Sequence, residues 1–193
     1  MVAIVDTMIT TADTDSERRE MQALFDENFS DIAADAVPMV ASDDLYAPLV
    51  VRCIDDATGV LIGGALTCRA QLAAAAIHAE RSGLSLGGYS RLRDKHSELD
   101  LMCVALGYRG RGIGGQMIEF MEGRLRERGV RVWFGNATED LDVDRLRAFY
   151  TRHGFVVLDE GQPLPPLLGQ TWTPPNTAPT AMYFYKVLQP VAS

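Results

Sequence analysis

Residues 98–115 read Glu98-Leu99-Asp100-Leu101-Met102-Cys103-Val104-Ala105-Leu106-Gly107-Tyr108-Arg109-Gly110-Arg111-Gly112-Ile113-Gly114-Gly115. The largely apolar run closing at Val104 predicts a strand over 98–104. A loop over 105–111 then leads to a helix over 112–128, where Ile113, Met117, Met121 and Leu125 recur every fourth residue. Gly129 supplies the stop. Gly110, Gly112, Gly114 and Gly115 are interleaved with Arg109 and Arg111. Glycines let a backbone approach a ligand and adopt conformations closed to other residues, and the unpaired amides of a helix start favour an anion. A phosphate or pyrophosphate is the natural guest. A bare strand-to-helix turn also needs glycine, but it does not need two guanidinium groups set among the glycines.

Two ligand classes fit such a loop. Gly110-x-Gly112-x-x-Gly115 satisfies the dinucleotide fingerprint, with Glu139 and Asp140 at about the expected distance beyond it. That fingerprint follows its strand almost directly, whereas Ala105 to Arg109 intervene here, and too little chain follows for the parallel sheet it needs. The spacing of a P-loop nucleotide hydrolase is absent.

Outward from the loop, β-branched residues over 2–9 predict a first strand, and Thr14-Asp15-Ser16-Glu17 is a capping-box pattern opening a helix that runs to about residue 34. Strands are expected over 49–54 and 60–67, joined by the polar turn Asp55-Asp56-Ala57-Thr58-Gly59. The alanine run over 70–81 predicts a helix, and 82–95 reads as the rest of an insertion or lid spanning about 70–97. Further on come a strand over 130–134, a helix over 142–153, a strand over 155–158, a proline-rich loop over 163–179 and a last strand over 182–188. The order of elements is that of a mixed α/β fold in a single domain over 1–193.

Arg109-x-x-Gly112-x-Gly114 resembles the Gln/Arg-x-x-Gly-x-Gly/Ala motif of the GNAT acetyltransferase superfamily. Val104 stands where that family has the valine closing its fourth strand, and Tyr108-Arg109-Gly110 resembles its lead-in. Tyr150-Thr151-Arg152-His153-Gly154-Phe155 resembles the family's Tyr-x-x-x-Gly-Phe element, so the likeness covers about residues 98–158. It implies an α/β (α+β) fold with a mostly antiparallel sheet, splayed central strands and helices on both faces. It also implies acetyl-CoA as co-substrate, its pantetheine arm pairing with the backbone of Met102, Cys103 and Val104. The amides of Gly110, Arg111, Gly112, Ile113, Gly114 and Gly115 would cap the pyrophosphate, with Arg109 and Arg111 adding charge.

An alkylammonium must lose a proton before it can attack a thioester. Glu98 matches the general base of histone-acetylating members, and Asp100 is next on the same strand face; the alternative for Glu98 is a solvated carboxylate. Tyr150 matches the family position that protonates the departing thiolate, the alternative being a tyrosine packed beside Phe149. Cys103 reads as core rather than as an acyl carrier, and His153 as a cation at a helix end. Val143 replaces an asparagine common in the family, so one common cofactor contact is missing or supplied otherwise. Thr138 stands where ribosomal-protein acetylating members carry a glutamate.

A net charge of −8 disfavours nucleic acid and anionic membranes and suits a cationic partner. Three widely spaced cysteines suit free thiols in a cytoplasmic protein. The first ten residues lack the basic lead of a signal peptide, no apolar run reaches membrane-span length, and His78 and His96 have no metal-ligand spacing. The chain therefore reads as an N-acetyltransferase that moves an acetyl group from acetyl-CoA to a primary amine by direct attack in a ternary complex. A small-molecule amine is favoured over a peptide amine, that is, over a protein lysine or amino terminus. The alternatives are a non-catalytic acyl-CoA-binding module and a dinucleotide-binding protein. The long segments outside the motifs would set acceptor choice or form homodimer contacts.

Overall fold

A computed structural model describes residues 6–84, 87–137, 142–173 and 182–189. These residues form two compact units, Met1–Cys68 with Asp100–Gly123, and Arg69–Leu99 with Arg124–Ser193.

In the first unit β1 (Thr7–Thr11), β2 (Leu49–Asp55) and β3 (Leu61–Cys68) form an antiparallel meander, and the second half of β4 (His96–Val104) lies beside β3. The hairpin expected around Asp55 to Gly59 is present, with Gly59 and Thr58 amides donating to the Asp55 carbonyl. Helix α1 (Asp15–Asn28) opens on a full capping box: the Glu17 amide donates to Thr14 Oγ1, and the Glu17 carboxyl accepts from the Thr14 amide. Such a cap stabilises a helix start by about 1 kcal/mol. Met21, Leu24 and Phe25, one apolar stripe of α1, pack with Val50, Leu66 and Cys103.

Helix α1 ends at Asn28 rather than near residue 34. Asn28 Nδ2 turns back to the Leu24 carbonyl and Phe29 adopts an extended backbone, so the polar Asn28 competes for the helix's own acceptor. The chain then forms a 3₁₀ turn and a short helix, α2 (Asp43–Tyr46), neither of which the sequence patterning indicated. Arg18 holds this segment. It is only 4% exposed, donates to the Ala12 and Pro38 carbonyls at 3.1 and 3.0 Å, and makes a two-pronged pair with Asp43. A buried guanidinium needs that full set of acceptors. The strand expected over 2–9 is β1 at Thr7–Thr11, its first predicted residues lying outside the described ones.

In the second unit the first half of β4 pairs in parallel with β5 (Val132–Ala137), from His96↔Val132 to Leu99↔Gly135. Strands β7 (Met182–Val187) and β6 (Val156–Val157) add antiparallel in the order β4-β5-β7-β6. Alternation along β5 sends Val132 and Phe134 into a cluster with Leu158, Leu164, Leu167 and Trp172. Trp133, on the opposite parity, meets Phe155 at 5.1 Å between ring centroids. The alanine-rich α3 (Gln71–Arg81) forms as expected, and the stretch after it contains a further short helix, α4 (Gly88–Leu92).

The described parts of the insertion and of the proline-rich loop pack on each other in this unit; residues 85–86 and 174–179 lie outside the described ones. Trp172 stacks on His96 at 3.6 Å and meets Tyr89 edge-on, while the Tyr89 hydroxyl donates to the Thr171 carbonyl. His96 is 2% exposed; its Nε2 accepts from the Ala70 amide and its Nδ1 faces the Leu92 carbonyl, an arrangement that suits a neutral ring protonated on Nδ1. Burial pushes its pKa down to about 4.

Candidate active site

The glycine loop lies in the first unit. A 3₁₀ turn over Leu106–Tyr108 follows β4, and helix α5 (Ile113–Glu127) begins after Gly112. Gly110 and Gly112 have φ of +78° and +83°, and a Cβ added at either would meet no atom within 4 Å. Glycine is required there by conformation, and the space beside the backbone is open. The Gln116 amide bonds the Gly112 carbonyl at 3.1 Å, so the amides of Ile113, Gly114 and Gly115 precede the helical ladder and lack an acceptor within it. Three such amides at a helix start, with open space beside Gly110 and Gly112, fit a phosphate group.

Both arginines are anchored by their own surroundings. Arg109 Nε donates to the Val104 carbonyl at 2.8 Å and its Nη2 to Asn28 Oδ1 at 3.4 Å. Arg111 Nη2 donates to the Gly107 carbonyl at 3.0 Å, and its guanidinium stands 5.4 Å from the centre of the Tyr108 ring. Each uses one or two of five donors, so charge and hydrogen atoms remain for an anion. Thr7 Oγ1 meets Gln116 Oε1 at 2.8 Å, tying β1 to the first turn of α5.

Met102 and Val104 are half-buried, whereas Cys103 is buried and its thiol is pushed up to about 12 by desolvation. A protonated, enclosed thiol is a poor nucleophile, and Cys103 serves the core. Asp100 is exposed by surface area yet crowded by protein mass. The crowding pushes its carboxyl up to about 7, opposed by a hydrogen bond with Cys68. Because that carboxyl keeps open surface to water, the upward direction is what bears on the chemistry.

Tyr150 and Glu98 lie in the second unit. Helix α6 (Val143–Arg152) is capped by Asp142, whose side chain accepts from the Arg145 amide, so Val143 starts the helix. At its other end the Phe155 amide bonds the Tyr150 carbonyl and the Gly154 amide bonds the Thr151 carbonyl, each at 3.0 Å, with Gly154 at φ +78°. This is a Schellman cap, and the Tyr150–Phe155 ring contact at 5.5 Å is its usual apolar partner. The Tyr-x-x-x-Gly-Phe pattern thus has a local physical cause. The Tyr150 ring also stacks on Phe184 at 3.7 Å, and its hydroxyl has no hydrogen-bond partner among the described residues. Burial raises its pKa, so the hydroxyl stays protonated. Glu98 is half-buried on β4, paired in register with Phe134, and is engaged by a partner. His153 is the C-cap of α6, and Lys186 Nζ donates to its carbonyl.

Residues 62–157 match the family model described as the acetyltransferase (GNAT) domain. The chain carries a GNAT acetyltransferase domain. It is an acyltransferase, and acyl-CoA-dependent N-acetylation is the general chemistry of the domain. Solved structures of the same fold include a GNAT acetyltransferase from Staphylococcus aureus Mu50, with TM-score 0.61 and 15% identity over 95% of this chain and 100% of that one. The ribosomal-protein-S18-alanine N-acetyltransferase of Escherichia coli gives TM-score 0.57 and 15% identity over 97% of each chain. Tetrahymena GCN5 gives 0.58 and 12% over 97% and 99%. Among curated proteins there is no significant match.

The GNAT domain accounts for why the dinucleotide fingerprint is only formal. The β4-α5-β5 segment is a parallel crossover like those of dinucleotide folds, but β1-β2-β3 and β5-β7-β6 are antiparallel. Thr138, Glu139 and Asp140 lie outside the described residues. Asn28 and the Asp55 side chain reach the loop from 81 and 53 positions away; no local pattern marks Asn28, and the pattern at Asp55 marks only the hairpin turn. No helix among the described residues is long and apolar enough to cross a membrane.

Proposed function

We propose that this GNAT domain transfers an acetyl group from acetyl-CoA to a primary amine by direct attack, with a small-molecule amine as the favoured acceptor. The observation that carries the reading is the start of α5, where three ladder-free amides stand beside open glycine backbone with two arginines anchored alongside. When bound, acetyl-CoA would supply the thioester. Met102, Cys103 and Val104 would offer backbone groups to its pantetheine arm, and Arg109, Gly110, Arg111, Gly112, Ile113, Gly114 and Gly115 would hold its pyrophosphate.

Tyr150 is the proposed proton donor to the leaving thiolate. A buried phenol whose pKa is raised, whose ring is fixed by Phe184 and whose hydroxyl has no other partner among the described residues is suited to that task. Glu98 is the proposed base, with Asp100 as the second carboxyl that could accept the ammonium proton; an upward-shifted carboxyl is a stronger base at neutral pH. The acidic chain and the Glu98 position also suit a peptide amine, the second reading. Three free, buried cysteines are in keeping with a cytoplasmic address.

Product mass spectrometry on panels of small amines and of peptides, with acetyl-CoA as donor, tests the proposal. Acetylated small amines support it, acetylated lysines or amino termini move it to the second reading, and no acetylated product from either panel rejects it.

A further inference from the structure

Asp55 closes β2 and is buried. Its Oδ1 accepts from the Ala57 amide at 3.0 Å and its main-chain carbonyl accepts from Thr58 and Gly59, and these bonds complete the hairpin turn. The turn does not need Oδ2. That oxygen accepts instead from the Tyr108 hydroxyl at 3.3 Å, a residue 53 positions away in the lead-in to the glycine loop. The Tyr108 ring in turn lies beneath the Arg111 guanidinium, within the range of a cation–π contact, and Arg111 separates Gly110 from Gly112. A chain of two contacts therefore runs from the hairpin to the cationic edge of the loop, all inside one unit.

We propose that Asp55 is a positioning residue for the acyl-CoA site: through Tyr108 it fixes the Arg111 guanidinium at the mouth of the pyrophosphate cradle. This rests on the acyl-CoA reading of the loop. Arg111 is long and half-buried, and without a platform its side chain would sample many rotamers and lose entropy on meeting an anion. The Gly107 carbonyl fixes one nitrogen and the Tyr108 face fixes the plane. The Asp55 bond prevents the phenol from swinging away.

The test is a double-mutant cycle on CoA affinity in the full chain, by titration calorimetry, using Tyr108→Phe, Arg111→Gln and the double variant, with melting temperatures recorded. Tyr108→Phe keeps the ring and removes only its anchor. It is expected to weaken CoA about three- to tenfold in the wild-type background and less than about twofold when Arg111 is already Gln. Asp55→Asn keeps its one oxygen on the Ala57 amide and turns its Nδ2 to donate to the Tyr108 hydroxyl, so it is expected to retain more affinity than Asp55→Ala. An equal loss in both backgrounds, or no loss in the wild type, overturns the inference while leaving the acyl-CoA reading standing. A wild-type chain that fails to bind CoA removes both.

Discussion

Gly112→Ala separates the two demands placed on the glycine loop. Gly112 sits at φ +83°, where an L-residue with a Cβ costs about 1–2 kcal/mol. No atom lies within 4 Å of the added Cβ, so packing adds nothing, and the melting temperature should fall by about 2–8 °C. Binding should suffer much more. The methyl group fills part of the open space beside the loop, and losing one amide-to-phosphate bond of about 1.5–3 kcal/mol to it weakens CoA about 10- to 150-fold. Gly161→Ala is a matched control, at φ +72° with nothing within 4 Å of its Cβ, in a turn of the second unit. Calorimetric titration of both variants with CoA, alongside their melting curves, gives the comparison. If Gly112→Ala and Gly161→Ala lost similar stability and bound CoA equally well, the loop would not be the pyrophosphate site.

Three further outcomes follow from particular contacts. Tyr150→Phe keeps the stack on Phe184 and the helix cap, so its melting temperature should hold within about 3 °C while kcat falls about 100-fold or more; unchanged kcat would remove Tyr150 from the chemistry. His96 ordinarily titrates near 6.5 and is held down to about 4 in the fold, so its contribution of about 3 kcal/mol is complete above pH 6.5 and drains away as pH falls toward 4. As pH falls across that window the melting temperature of the wild type should decline relative to that of His96→Gln. Gly135→Ala would place a Cβ 2.7 Å from the Phe184 ring and 2.9 Å from the Leu99 carbonyl, so a loss of about 1–3 kcal/mol is expected by urea denaturation.

Local causes made much of the molecule legible in its sequence. Thr14 and Glu17 announce a helix start because both halves of the capping box lie within one turn. Tyr150, Gly154 and Phe155 mark a helix end for the same reason, since a Schellman cap joins residues five apart. The hairpin at Asp55 and the start of α5 after Gly112 were likewise readable from turn chemistry and from apolar spacing. What was not readable depends on residues distant in the chain. Arg18 looks like a surface residue of α1 until Ala12, Pro38 and Asp43 close around it. The existence of α2 and α4 follows from such docking rather than from propensity. In the candidate site the glycines were evident, whereas Asn28, Asp55 and the anchoring of Arg109 by the Val104 carbonyl were not.

The central claim, that the loop around Gly112 receives the pyrophosphate of an acyl-CoA, is tested most directly by thermal unfolding of the full chain with acetyl-CoA, CoA, NAD and NADP in turn. At about 100 times the dissociation constant a bound ligand stabilises by about 2.7 kcal/mol, which for a chain of this length raises the melting temperature by about 5–10 °C. Protection by acetyl-CoA and by CoA, competing with each other and absent with NAD and NADP, is the expected result. No shift with any acyl-CoA and a clear shift with NAD or NADP would contradict it.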